Sequence, residues 1–133
     1  MQSNQSVSVG TWGNQQGRNG VWFNLERYFI QRYDIDTEQY DRAVGVSLNI
    51  NSHQLNLIST FILDNDEWTL RNNCSWFVAG LWNLVSPDAY ALSSNLFNVY
   101  TPNGLRSQIV NFDNHMVGFT CDDPFIRPSR IQR

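Results

Sequence analysis

The chain contains no lysine; all nine of its basic side chains are arginine. Against them stand 12 aspartates and glutamates, for a net charge of -3 at pH 7. A protein that works through phosphate contacts usually presents a basic face, because neutralising phosphates releases counterions. Here Arg18, Arg27, Arg32, Arg42, Arg71 and Arg106 are scattered among acidic residues, and only the final "IRPSRIQR" clusters them. Nucleic acid is therefore not an expected partner. Cysteine is scarce as well: Cys74 and Cys121 allow one bridge but no disulfide framework. The longest apolar stretch, 74–85, is broken by Ser75, Gly80 and Asn83 and is too short to span a bilayer. "MQSNQSVSVG" lacks both the positive and the apolar region of a secretory signal, so export would need a specialised secretion system. The two histidines and two cysteines lack metal-site spacing, and no metal or other cofactor is expected.

What the sequence does hold is apolar content of 41% in 133 residues, enough for one domain with a core of its own. "SVSVGTW" alternates and is rich in valine, the pattern of a strand. "VWFNLERYFI" is a strand or a strand passing into a short helix, and "DRAVGVSLNI" is the clearest second strand. The period then changes. Leu55, Ile58, Phe61 and Ile62 recur at three- and four-residue spacing, which predicts an amphipathic helix capped by Asn51 or Ser52. A second helix begins at Cys74, with Phe77, Val78, Leu81, Trp82 and Val85 on its apolar face and Pro87 marking its end. "TPNGLRSQIV" predicts a short third helix, with Thr101 as cap and Pro102 in the first turn, where its missing N–H costs little. "HMVGF" suggests a last strand, and 120–133 an irregular tail.

Cys74 admits two readings. Free cysteine is among the most buried residue types and usually serves packing. At the first turn of a helix, however, unpaired N–H groups and the positive end of the macrodipole favour thiolate, the nucleophilic form. The Cys74 N–H would also suit a developing oxyanion. Asn73, just before it, would cap the helix or assist that oxyanion. Trp12, Trp22, Trp68, Trp76 and Trp82 would divide between core and the lining of a substrate groove, with Trp76 nearest the cysteine in sequence.

"NNCSWFVAGLWN" resembles the nucleophile segment of papain-like bacterial hydrolases, whose helix opens with Asn-Cys, a small residue and an aromatic. More narrowly, it resembles the circularly permuted branch of NlpC-type cell-wall peptidases found among secreted antibacterial effectors. In that branch, pieces similar to "GTWGN", "GVWFNLE", "RAVGVSL" and "NSHQLNLISTFI" precede the cysteine, and one similar to "TPNGLRSQI" follows it. The resemblance covers about residues 8 to 110. It implies a papain-like α+β fold: an antiparallel sheet packed against the cysteine-bearing helix and one or two further helices, in a single domain spanning 1–133. It implies peptide- or amide-bond hydrolysis through Cys74, with bacterial cell-wall peptide (peptidoglycan) as substrate and an inhibitory immunity protein as a further partner.

Such a cysteine needs a histidine within hydrogen-bond reach. His53 falls in the first turn of a helix, at an ordinary capping position. His115 opens the short apolar run after the cysteine helix, loosely as the unpermuted enzymes place theirs, and is the provisional base. In the permuted branch the histidine lies on a strand before "GTWGN", and this chain begins too late to include that strand. Two alternatives follow. A related acyltransferase or lipid hydrolase would share the Asn-Cys helix start, but those enzymes carry histidine two residues after the cysteine, where this chain has Trp76. A papain-like module without activity would bind glycan or protein through its aromatic and amide groups.

Overall fold

The computed structural model describes residues 7–13, 19–40, 42–118 and 128–131. They form a mixed α+β structure of four helices and two small antiparallel sheets. Cys121 and most of the 120–133 tail lie outside the described residues.

Strand β1 (Val9–Trp12) pairs antiparallel with β2 (Gly20–Phe23), in register from Val9 opposite Phe23 to Trp12 opposite Gly20. The chain then turns at Asn24, which adopts a left-handed conformation (φ 66°), directly into α1 (Leu25–Arg32). Thus "VWFNLERYFI" is a strand passing into a helix. The tail is not wholly irregular: β5 (Ser129–Arg130) adds a third strand to β2. Arg130 holds it there by pairing with Asp66, whose side chain is 7% exposed, and by donating to the Val21 carbonyl at 2.6 Å. Asp66 Oδ1 also accepts from the Val21 N–H at 2.7 Å. Gly20 is required beside this pair. Its φ is 133°, and a Cβ there would lie 2.4 Å from Asp66 Oδ1.

The second expected strand is much shorter than its alternation suggests. Only Val44–Gly45 (β3) enters a ladder, because its partner β4 (Met116–Val117) offers just two residues. Alternation marks a half-buried extended segment; a strand also needs a neighbour to receive its hydrogen bonds.

Helix α2 (Ser52–Asp64) opens with a capping box: Asn51 Oδ1 accepts from the Gln54 N–H at 2.8 Å, and Gln54 Oε1 accepts from the Asn51 N–H at 2.9 Å. It runs antiparallel to α3 (Cys74–Val85), since Gln54 Nε2 donates to the Val85 carbonyl while Phe61 packs on Trp76 and Phe77. Gly80 permits this approach, because a Cβ there would meet the Phe61 ring at 2.8 Å. Leu55, assigned to the buried face of α2, is instead exposed, and so is Val78 on α3. α3 also packs on β1.

The C-terminal half of α3 is stitched to the segment that follows it. Asn83 Nδ2 donates to the Leu92 carbonyl and its Oδ1 accepts from the Leu92 N–H, both at 2.8 Å. Trp82 Nε1 donates to the Tyr90 carbonyl at 2.9 Å. These bonds fix Leu92 against Ala79 and Leu105, with Trp82, Tyr100, Ile109 and Phe112 around them. Helix α4 (Pro102–Ile109) supplies Leu105 to that cluster and is capped as expected, Thr101 Oγ1 accepting from the Gly104 N–H at 3.0 Å. No helix among the described residues is long and apolar enough to cross a membrane.

Candidate functional site

Cys74 is a free, exposed thiol at the first position of α3. The packing reading of this residue therefore does not describe it: the sulfur faces solvent, and Phe77 and Ala79 one turn on carry the burial. Asn73 explains why the helix begins here. Its Oδ1 accepts from the Trp76 N–H at 2.9 Å, a conventional N-cap. Its Nδ2 donates to the Tyr100 carbonyl at 3.0 Å and, more weakly, to the Leu70 carbonyl at 3.4 Å. One amide thus fixes the helix start to two loops at once. With Nδ2 committed to carbonyls, Asn73 is a brace and not a donor to an oxyanion.

The thiol opens onto a groove of about 560 Å³ with three walls. Cys74, Ser75 and Val78 come from α3; Pro102, Asn103, Leu105, Arg106 and Ile109 come from α4; Tyr40, Arg42, Ala43 and Val44 come from β3 and the approach to it. Arg42 and Arg106, far apart in sequence, meet here. Arg106 Nε donates to the Arg42 carbonyl at 3.1 Å, which ties α4 to the segment leading into β3. Among the described residues, neither guanidinium pairs with a carboxylate and no acidic side chain lines the groove. Helices α3 and α4 both begin on this groove, so the positive ends of two helix dipoles lie along it. Its described lining carries two cationic side chains and no anionic one, in a chain whose net charge is -3.

The remaining residues expected at the site lie elsewhere. Trp76 is partly buried and stacks on Phe61 at 6.1 Å, within the α2–α3 interface; it does not line the groove. None of the other tryptophans lines it either: Trp12 packs edge-on to Tyr28, and Trp82 joins the Leu92–Leu105 cluster. His53 stands beside Gln54, which contacts Val85 at the far end of α3 from Cys74. A helix rises about 1.5 Å per residue, so His53 is out of reach of the thiol.

His115 is exposed just before β4, whose partner strand continues into the groove wall at Val44. Its Nδ1 contacts the Phe112 carbonyl at 2.7 Å. A carbonyl only accepts, so Nδ1 carries the proton and a neutral ring would present Nε2 as acceptor. Among the described residues, neither His115 nor His53 hydrogen-bonds Cys74. No group of three or more His, Cys, Asp and Glu there is arranged to hold a metal.

Sequence reasoning missed Arg42, Arg106 and Asn103 as groove residues. The signal that existed was weak: both arginines fall inside the segments on either side of the cysteine helix, but nothing in their spacing shows that they meet. Compared with known proteins, the chain matches no family model, no curated protein and no solved structure.

Proposed function

We propose that the protein is a papain-like cysteine hydrolase that cleaves peptide or amide bonds, with Cys74 as nucleophile and bacterial cell-wall peptide as substrate. The single observation that carries this reading is the placement of a free, exposed thiol at a braced helix start inside a groove. A packing cysteine needs none of these features.

In this mechanism the Cys74 sulfur attacks the acyl carbon, forming an S–C bond while the carbonyl electron pair moves onto oxygen. The Cys74 N–H at the head of α3 faces that oxyanion. Collapse breaks the C–N bond, and the amine leaves with a proton from the base. Water then attacks the thioester, releasing a carboxylic acid and restoring the thiol. His115 is the base in this scheme, with Phe112 holding its Nδ1 proton and Nε2 left to accept. Catalytic hydrogen bonds in unliganded enzymes are often long and tighten only with substrate. An inhibitory protein that covers the groove is the partner this activity would call for.

A second reading has one observation in its favour: among the described residues the Cys74 thiol hydrogen-bonds neither His115 nor His53. It makes the protein a papain-like binding module without turnover. The test is to incubate the protein with cell-wall muropeptides and follow both released fragments and intact mass. Hydrolase action predicts new amine termini, lost in Cys74→Ala and strongly reduced in His115→Ala, and a Cys74 acyl adduct trapped from the wild type by rapid acid quench. Retention of intact muropeptide by wild type and Cys74→Ala alike supports the binding module and refutes the hydrolase.

A further inference from the structure

The arginines give the groove a selectivity that its thiol alone does not. Nine arginines serve the whole chain, and 12 acidic residues are available to pair with them. The only ion pair among the described residues is that of Arg130 with Asp66. Arg42 and Arg106 nevertheless line one hollow with no carboxylate among its described lining residues. Arg106 uses its Nε on the Arg42 carbonyl, which orients the guanidinium and leaves its terminal nitrogens. Arg42 contributes only its backbone oxygen to that contact. Two guanidiniums without an ion pair, both lining one groove, are available to an anion from outside. Guanidinium matches carboxylate in planar, two-point geometry.

We propose that Arg42 and Arg106 form an anion-binding subsite beside Cys74, and that it selects ligands bearing a carboxylate next to the group presented to the thiol. Asn103, on the first turn of α4 in the same wall, is a neutral neighbour able to donate to the same anion. At about 560 Å³ the groove has room for a peptide-sized ligand that carries one acidic group. A polyanion would instead meet the negative charge of the surrounding chain. The choice of carboxylate as the anion rests on the proposed hydrolysis of peptides, whose anionic groups are carboxylates. The subsite itself does not depend on turnover.

Iodoacetate and iodoacetamide test it directly. Both alkylate a thiolate by the same displacement: an S–C bond forms, the C–I bond breaks and iodide leaves. They differ in that one carries a carboxylate and the other a neutral amide. Rates are read at Cys74 by peptide mass, beside a short free cysteine peptide as reference. At low ionic strength the iodoacetate-to-iodoacetamide ratio at Cys74 should exceed that of the peptide by about tenfold, each nearby charge contributing about three- to five-fold. Arg42→Gln and Arg106→Gln should each remove about that share, Arg106→Lys should keep most of it, and about 0.5 M salt should shrink it. A ratio equal to that of the peptide, or a raised ratio that neither glutamine variant lowers, overturns the subsite. Arg42→Gln carries the test if Arg106→Gln fails to fold, because the Arg42 side chain is exposed and holds nothing else in place. Charge preference without any acyl adduct at Cys74 would leave the subsite standing and defeat the hydrolase, whereas an acyl adduct without charge preference would do the reverse.

Discussion

Two hollows of similar size hold arginine in opposite ways. One, of about 530 Å³, lies between α2 and the β2–β5 edge and is lined by Phe23, Ile62, Leu63 and Ile131 with Arg130. There the guanidinium is consumed: it is paired with Asp66 through both of its terminal nitrogens and also bonds the Val21 carbonyl. The other, of about 560 Å³, holds Arg42 and Arg106 with no acidic side chain among its described lining residues, and adds an exposed thiol. A charge with all its partners inside the protein supports the fold. A charge with none, set in a concavity, is addressed to something outside. That contrast, more than the volume of either hollow, separates the structural site from the proposed functional one.

Substitutions can break the contrast, and the largest effect should come from the thiol. Cys74→Ala should lower hydrolysis by about a thousandfold or more, while leaving the unfolding free energy from urea titration within about 0.5 kcal/mol of wild type. A large loss of stability would instead mark Cys74 as packing. Next comes the paired hollow. Asp66→Asn leaves Arg130 half-buried without its counter-charge and should cost about 2–4 kcal/mol in equilibrium unfolding, with no change in the alkylation rate of Cys74. If the alkylation rate fell as well, the two hollows would not be independent.

Asn73→Ala should fall between stability and function. Losing both a helix cap and the tie to Tyr100 should cost about 1–2 kcal/mol by denaturant titration. It should also slow acyl transfer, because the thiol rides on that helix start. The smallest effect on stability belongs to Arg42→Gln, within about 0.5 kcal/mol, since an exposed guanidinium with no ion pair contributes little to folding. Its consequence should appear in charge selectivity alone.

Local features of this architecture were legible in the sequence, and contacts between distant segments were not. Asn51 before α2, Asn73 before α3 and Thr101-Pro102 at α4 each declare a helix start by chemistry confined to a few residues. β3 shows the limit. The alternation in "RAVGVSLNI" marks a half-exposed segment, but the length of the ladder is decided by β4, about 70 residues later in the chain. The Asn83 clamp on Leu92 and the Gln108 side chain, which bonds the backbone of Ser93 on both its donor and acceptor sides, leave no periodic trace. Of the site, the cysteine was legible because helix starts are. Its arginines were not, because Arg42 and Arg106 become neighbours only when α4 docks beside β3. Trp76 was misplaced for the same reason: proximity in sequence to Cys74 says nothing of which helix face the ring takes.

The account rests on Cys74 being a reactive group in a groove that favours negative charge, and one measurement addresses both halves. Succinyl and butyryl thioesters present acyl groups of the same length, with and without a terminal carboxylate. Intact mass of the protein should show acyl transfer to Cys74 faster than to a free cysteine peptide, and faster from the succinyl donor than from the butyryl donor. Transfer to Cys74 no faster than to the peptide from either donor would contradict the account.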